Sequence, residues 1–259
     1  MRIAVCFSGQ PRTWKKCYES WNNLFSQFDV EVDYFCHIWN FNTLPQILNI
    51  STPQLIDSNE IDDMLSILKP KKFIIEDYSK NLKVKEDLKN LGKKYPFSGG
   101  TPIYWSGAQF YSHMYSVHLK RQHEIENNIE YNICFRMRTD LFIDQTAIDD
   151  FIRNFQNPKP NTIYSCHNGR TTSFPFSRIG DIFYYSDSIT FDKLAEFYRF
   201  LPIIGKSPFQ NDSNPPEMIF PFFIKMIRIK NFITTADLKV MRTTEYLTLK
   251  GDLGGHELI

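Results

Sequence analysis

Residues 2–8 (RIAVCFS) form an unbroken apolar run closed by Gly9 and Pro11, the pattern of a buried strand emptying into a loop. The period then changes: Trp14, Cys17, Trp21, Leu24 and Phe25 recur at helical spacing. Valines and aromatics in VEVDYFCHIW, residues 30–39, predict a second strand. Asp57 to Leu68 reads as a helix with Ser58 as N-cap and Ile61, Met64, Leu65 and Leu68 on one face, and Lys72 to Ile75 as a third strand. Lys80 to Gly100, lysine-rich and then punctuated by Gly and Pro, reads as a mobile loop. Tyr104 to Asn128 carries the longest helical pattern, with Phe110, Met114, Val117, Leu119, His123 and Ile125 near one broad face.

A strand over 131–143 follows, then a helix near Ala147 to Phe155 and strands at Thr162 to Cys166 and Asp181 to Ser186. Helices at Phe191 to Leu201 and Glu217 to Ile227 and a strand near Phe232 to Met241 complete the pattern. Strands alternating with helices over the first 145 residues predict βαβ units, hence an α/β fold with a mainly parallel, Rossmann-like sheet flanked by helices on both faces. Ligands of such sheets gather at the carboxyl ends of the strands. The chemically loaded residues fall there: Ser8 to Arg12 after the first strand, His37 to Asn40 after the second, and Arg138 to Asp140 where the fourth loses its apolar character.

Composition narrows the partners. A chain of 259 residues that is 42% apolar can build one full core. Its 30 basic and 29 acidic side chains nearly cancel, so no global field concentrates nucleic acid, and an anionic partner must be held by a local site. Five widely spaced cysteines without a CxxC pair suit buried free thiols in a reducing compartment. The N-terminal apolar run is too short for a signal-peptide core and no segment approaches 18 uninterrupted apolar residues, so a cytoplasmic protein without a transmembrane segment is expected. Lys83 to Lys94, interspersed with Glu86 and Asp87, reads as solvated, with peripheral membrane contact as its lesser reading.

Three stretches bear chemistry. In YNICFRMRTDLFID, residues 131–144, strand alternation places Arg136, Arg138 and Asp140 on one face. Such a set is either an ion-pair cluster or a site in which the carboxylate holds a divalent cation and the guanidiniums bind phosphate oxygens. SGQPRTW offers Gly9 for close backbone approach and Arg12 at the start of a helix, without the glycine spacing of a dinucleotide fingerprint or a P-loop. In NDSNPPEMIFPFFI, Pro215 and Pro216 fix Glu217 near a helix N-terminus, either as an ordinary first-turn acid or as a general base, and Asp181 competes for the latter role. His37 in FCHIWN is a structural residue or a ligand. His113, His118 and His123 are spaced by five, which is wrong for metal ligation from one helix face.

Taken together, CFSGQPR, FCHIWN, YWSGAQFYSHMYSVHLKR, RMRTDLFI, GDIFYYSDS and PPEMIF resemble a family of predicted glycosyltransferases of the GT-A fold found around polysaccharide biosynthesis. The resemblance spans most of the chain and implies a single GT-A-like domain over 1–259. Residues 1–145 would be its nucleotide-binding half and 146–259 its acceptor and catalytic half. The strand that resembles RMRTDL ends, in such enzymes, in an acidic motif that engages a metal and the sugar-nucleotide diphosphate. Here it reads RTD, with Asp140 matching the last acid and Arg138 standing in place of the first.

The resemblance therefore implies Ser8, Gly9, Arg12, His37, Arg136 and Arg138 around the nucleotide, Asp140 on Mn²⁺ or Mg²⁺, and Glu217 or Asp181 as the base that deprotonates an acceptor hydroxyl. The implied activity is sugar transfer from a nucleotide-diphosphate sugar to a glycan hydroxyl. A non-catalytic carbohydrate-binding or assembly protein is the rival outside enzymes, favoured if Tyr104, Trp105 and Tyr111 bind sugar faces. A sugar nucleotidyltransferase is the rival within them, but SGQPR is a poor substitute for its glycine-rich phosphate loop.

Overall fold

The computed structural model describes residues 1–42, 54–77, 80–94, 103–167, 183–204, 216–237 and 239–240. The strands are β1 (Arg2–Gly9), β2 (Glu31–Trp39), β3 (Phe41–Asn42), β4 (Gln54–Leu55), β5 (Lys72–Glu76), β6 (Ile133–Met137), β7 (Leu141–Phe142), β8 (Thr162–His167), β9 (Phe183–Ser186), β10 (Lys230–Asp237) and β11 (Lys239–Val240). The helices are α1 (Trp14–Phe25), α2 (Ser58–Leu68), α3 (Leu82–Lys94), α4 (Ile103–Asn127), α5 (Gln145–Asn154), α6 (Ser188–Ala195), α7 (Phe197–Ile204) and α8 (Pro216–Met226).

Seven strands form one sheet in the order β10-β8-β9-β6-β1-β2-β5. All neighbours are parallel except β9, which runs against both β6 and β8. The central strands are apolar on both sides because both faces are covered. Ala4, Cys6, Phe35 and Cys134 pack with residues of α3, α4, α6, α7 and α8. Ile3, Val5, Phe7, Ile133 and Phe135 pack with residues of α1, α2 and α5. The chain runs outward from β1 to β2 to β5, then returns through α3 and α4 to β6 on the other side of β1. The direction of winding therefore reverses between β1 and β6, and the loops leaving those two strands diverge to open a crevice.

The mixed α/β architecture with a mostly parallel sheet is as the hydrophobic pattern predicts. Four details differ. Most of the expected loop from Lys80 is α3, because Val84, Leu88 and Leu91 stand one helical turn apart and bury against α4 behind the lysines. Gly107 of α4 allows that approach, since a Cβ there would collide with Leu88. The strand expected over 131–143 is instead β6, a turn and β7, and the helix expected from Phe191 to Leu201 divides at Glu196. Asp57, not Ser58, caps α2, its side chain accepting from Asn59 N–H. Ile125, expected on the packed face of α4, is exposed.

Cys6, Cys17, Cys36 and Cys134 are buried free thiols, and burial lifts Cys17 and Cys36 to about 12. Among the described residues no helix is long and apolar enough to cross a membrane.

Candidate functional site at the carboxyl ends of β1 and β6

The loops leaving β1 and β6 are stitched together. Thr139 Oγ1 donates to the Gln10 carbonyl, and Arg12 Nη1 donates to Asp140 Oδ2 at 3.0 Å. Behind them α1 is pinned to β7: Trp21 Nε1 donates to the Leu141 carbonyl at 2.5 Å, and Ser20 Oγ accepts from Ile143 N–H at 3.1 Å. Arg138 closes the arrangement through a fork on Asp140, with Nε to Oδ1 at 2.8 Å and Nη2 to Oδ2 at 2.6 Å. Two guanidiniums thus share one carboxylate, which leaves the trio with an excess of positive charge. Asp140 is 1% exposed, whereas the Arg12 side chain is 32% exposed.

Burial alone would raise the Asp140 pKa. The charges and hydrogen bonds of Arg138 and Arg12 outweigh that effect and hold the group at about 2, so it is ionised throughout the neutral range. The β1 loop is strained to reach this position: Gly9 sits at φ 117 and Arg12 at φ 37, and a non-glycine residue in the left-handed region costs on the order of 1 to 2 kcal/mol. The helix that follows begins without a side-chain capping bond from Thr13 and without an acid in its first turn, so the positive end of α1 is not neutralised there. Ser8 Oγ, buried at the end of β1, has no hydrogen-bond partner among the described residues. A crevice of this make-up attracts an anion with several oxygens.

Arg136 lies apart from the trio. It is the last side chain of β6 on the α4 side, fully buried, with its guanidinium over the rings of Phe110 at 4.8 Å and Tyr184 at 5.7 Å. Its charge, added to burial, holds His113 neutral, and the Tyr184 hydroxyl lies 2.6 Å from His113 Nε2. The expectation of one face bearing Arg136, Arg138 and Asp140 is therefore corrected. Strand alternation stops at Met137, because residues 138–141 form a turn closed by Leu141 N–H on the Arg138 carbonyl at 3.2 Å.

Nor does the donor set fit the expected Mn²⁺ or Mg²⁺. Both oxygens of Asp140 accept from guanidiniums, and among the described residues no group of three His, Cys, Asp or Glu side chains converges.

His37, at the end of β2, is also fully buried. Its Nδ1 lies 2.9 Å from Ser112 Oγ of α4 and its Nε2 lies 2.8 Å from Glu76 Oε2 at the end of β5. Ser112 in turn accepts from Gly9 N–H at 2.8 Å, so His37 is linked to the β1 loop without lining it. Ser112, Glu76, Gln10 and Thr139 escaped the sequence reading. Glu76 alone carried a signal, since it closes an apolar strand as His37 does.

Glu217 lies in the first turn of α8; its side chain and the whole of Asp181 are outside the described residues. Topology still places the α8 backbone. The chain leaves α8 and enters β10 at Lys230, whose partner Thr162 is the first residue of β8, a strand parallel to β6. The α8 helix therefore starts on the carboxyl-end side of the sheet, the side of Arg12 and Asp140.

No family model matches the chain, and no curated protein matches it. Among solved structures, the crystal structure of a glycosyltransferase involved in the glycosylation of the major capsid of PBCV-1 is similar at 10% identity and a TM-score of 0.40, over 91% of this chain and 83% of that one.

Proposed function

We propose that the chain transfers a sugar from a nucleoside-diphosphate sugar to a glycan hydroxyl, with the diphosphate held in the β1/β6 crevice. One observation carries the reading: Arg12 and Arg138, from loops on either side of the winding reversal, converge on a single buried carboxylate and keep a surplus of positive charge there. A nucleoside diphosphate departs with growing negative charge, and cations already in place lower the barrier because they need not reorganise. In this role the two guanidiniums replace the divalent cation, and Asp140 is a positioning residue that aims them. Ser8 Oγ supplies a hydrogen bond to the donor. Glu217 is the proposed base for the acceptor hydroxyl, with Asp181 as its competitor; such help is worth about 10²- to 10⁴-fold.

A thermal-shift panel of uridine- and guanosine-diphosphate sugars, each with and without EDTA, tests the proposal. A ligand at 100 times its Kd adds about 2.7 kcal/mol, which for a chain of this size raises Tm by roughly 5 to 10 °C. The expected result is such a rise for one nucleotide class, unchanged by EDTA. Stabilisation by free oligosaccharides and by no nucleotide would replace the transferase with a carbohydrate-binding protein.

A further inference from the structure

The end of the β1–β2 ladder holds a proton-counting problem. Ser112 Oγ touches three groups: Gly9 N–H at 2.8 Å, the His37 carbonyl at 3.0 Å and His37 Nδ1 at 2.9 Å. A hydroxyl has one proton to give and lone pairs to receive. The amide can only donate and the carbonyl can only accept, so the hydroxyl proton belongs to the carbonyl and Nδ1 must donate to Oγ. On the other side of the ring, Nε2 faces the Glu76 carboxylate at 2.8 Å.

Glu76 is held by more than the ring. The Asn81 amide donates to its Oε1, and the Tyr111 hydroxyl donates to the same oxygen at 3.2 Å. Burial works against ionisation of Glu76, but the hydrogen bonds from His37, Asn81 and Tyr111 outweigh it and lower its pKa. An ionised Glu76 requires a proton on Nε2 as well.

We infer that His37 is an imidazolium, paired with Glu76, and that this pair is a positioning device which sets the Gly9–Arg12 loop through Ser112. The surroundings fit a closed ion pair. From α4 the ring is met by Tyr111 at 5.6 Å and Tyr115 at 5.5 Å, from its own strand by Trp39 at 5.1 Å, and from β5 by Glu76. Among the charged groups of the described residues, only Glu76 is paired with it. The chain of contacts has consequences for the site. The imidazolium fixes the Ser112 hydroxyl, Ser112 fixes Gly9 N–H at the residue with φ 117, and three residues on stands Arg12. The last link, from loop geometry to ligand affinity, rests on the proposed function; the proton assignment does not.

Nitrogen-15 NMR of the full chain labelled at histidine, with His37 assigned from its absence in His37→Gln, reads the protons directly. At neutral pH both His37 ring nitrogens are expected to bear hydrogen, and a single protonated nitrogen would overturn the inference. In Glu76→Gln, whose amide keeps the shape but not the charge, His37 is expected to hold one proton and UDP or GDP affinity to fall about tenfold. Unchanged affinity in that variant would remove the positioning role, and if the variant does not fold, the wild-type spectrum still decides the proton count. Wild-type protein that binds neither nucleotide while showing two ring protons would refute the transferase reading and leave the imidazolium standing.

Discussion

Two charge clusters sit along α4, and only one of them looks like a place for a ligand. Lys120, fully buried, ion-pairs with Glu124 at 3.0 Å and Asp192 at 2.8 Å and donates to Ser188 Oγ at 2.5 Å, while Arg121 covers Asp192 from the surface. Burial alone would lower the Lys120 pKa, but Cys134, Asp192 and Glu124 more than reverse that and raise it. Its two cations meet two carboxylates, so the charge balances, and it lies eight residues along α4 from Ser112, about 12 Å from the strand ends. The Arg12–Arg138–Asp140 cluster is unbalanced, partly open and placed where β1 and β6 diverge. Burial and ion pairing are common to both; surplus charge and position at the winding reversal are not. A cluster that satisfies itself ties helices together, and one that does not can receive an anion.

Removing a cation should separate them most sharply. Lys120→Met strands two nearly buried carboxylates, so urea unfolding should show a loss of about 3 to 5 kcal/mol, with nucleotide affinity unchanged. Acid comes next. Asp140 titrates at about 2 when folded against 3.8 ordinarily, so its contribution is complete above about pH 4 and lost as pH falls through about 2. The difference amounts to about 2 kcal/mol, and Asp140→Asn should flatten that part of the stability curve. Arg12→Met should reduce diphosphate affinity by tenfold or more, because a charge-assisted bond is worth about 1.5 to 3 kcal/mol. Calorimetry checks it, and stability should change little because the side chain is a third exposed. Gly9→Ala should be the mildest, about 1 kcal/mol in thermal unfolding, since a Cβ there meets nothing within 4 Å and only the backbone conformation opposes it.

Much of this was legible in the chain. Apolar runs at 2–8, 30–39 and 72–75 announced the parallel strands β1, β2 and β5, and the rule that ligands gather at strand ends led to Arg12, Arg138 and Asp140. Composition misled where it hid period: the lysines of 83–94 obscured Val84, Leu88 and Leu91, which make the segment a helix. Alternation misled where it was carried past the last strand residue, grouping Arg136 with residues that belong to a turn. The metal assignment to Asp140 depended on what lies beside it in space, and Arg12 is 128 residues away in the chain. Ser112 could not be singled out at all. A serine on an aromatic helix carries no mark that its hydroxyl will bridge the ends of two strands.

The account stands or falls on whether the guanidinium pair binds diphosphate without a metal. Isothermal titration of UDP and GDP, in EDTA, into the wild-type chain and into the Arg12→Met, Arg138→Met double variant measures this directly. Binding of one nucleotide by the wild type and a loss of at least a hundredfold in the variant are predicted. Equal affinity in the two proteins, or wild-type binding only after Mn²⁺ is restored, would contradict it.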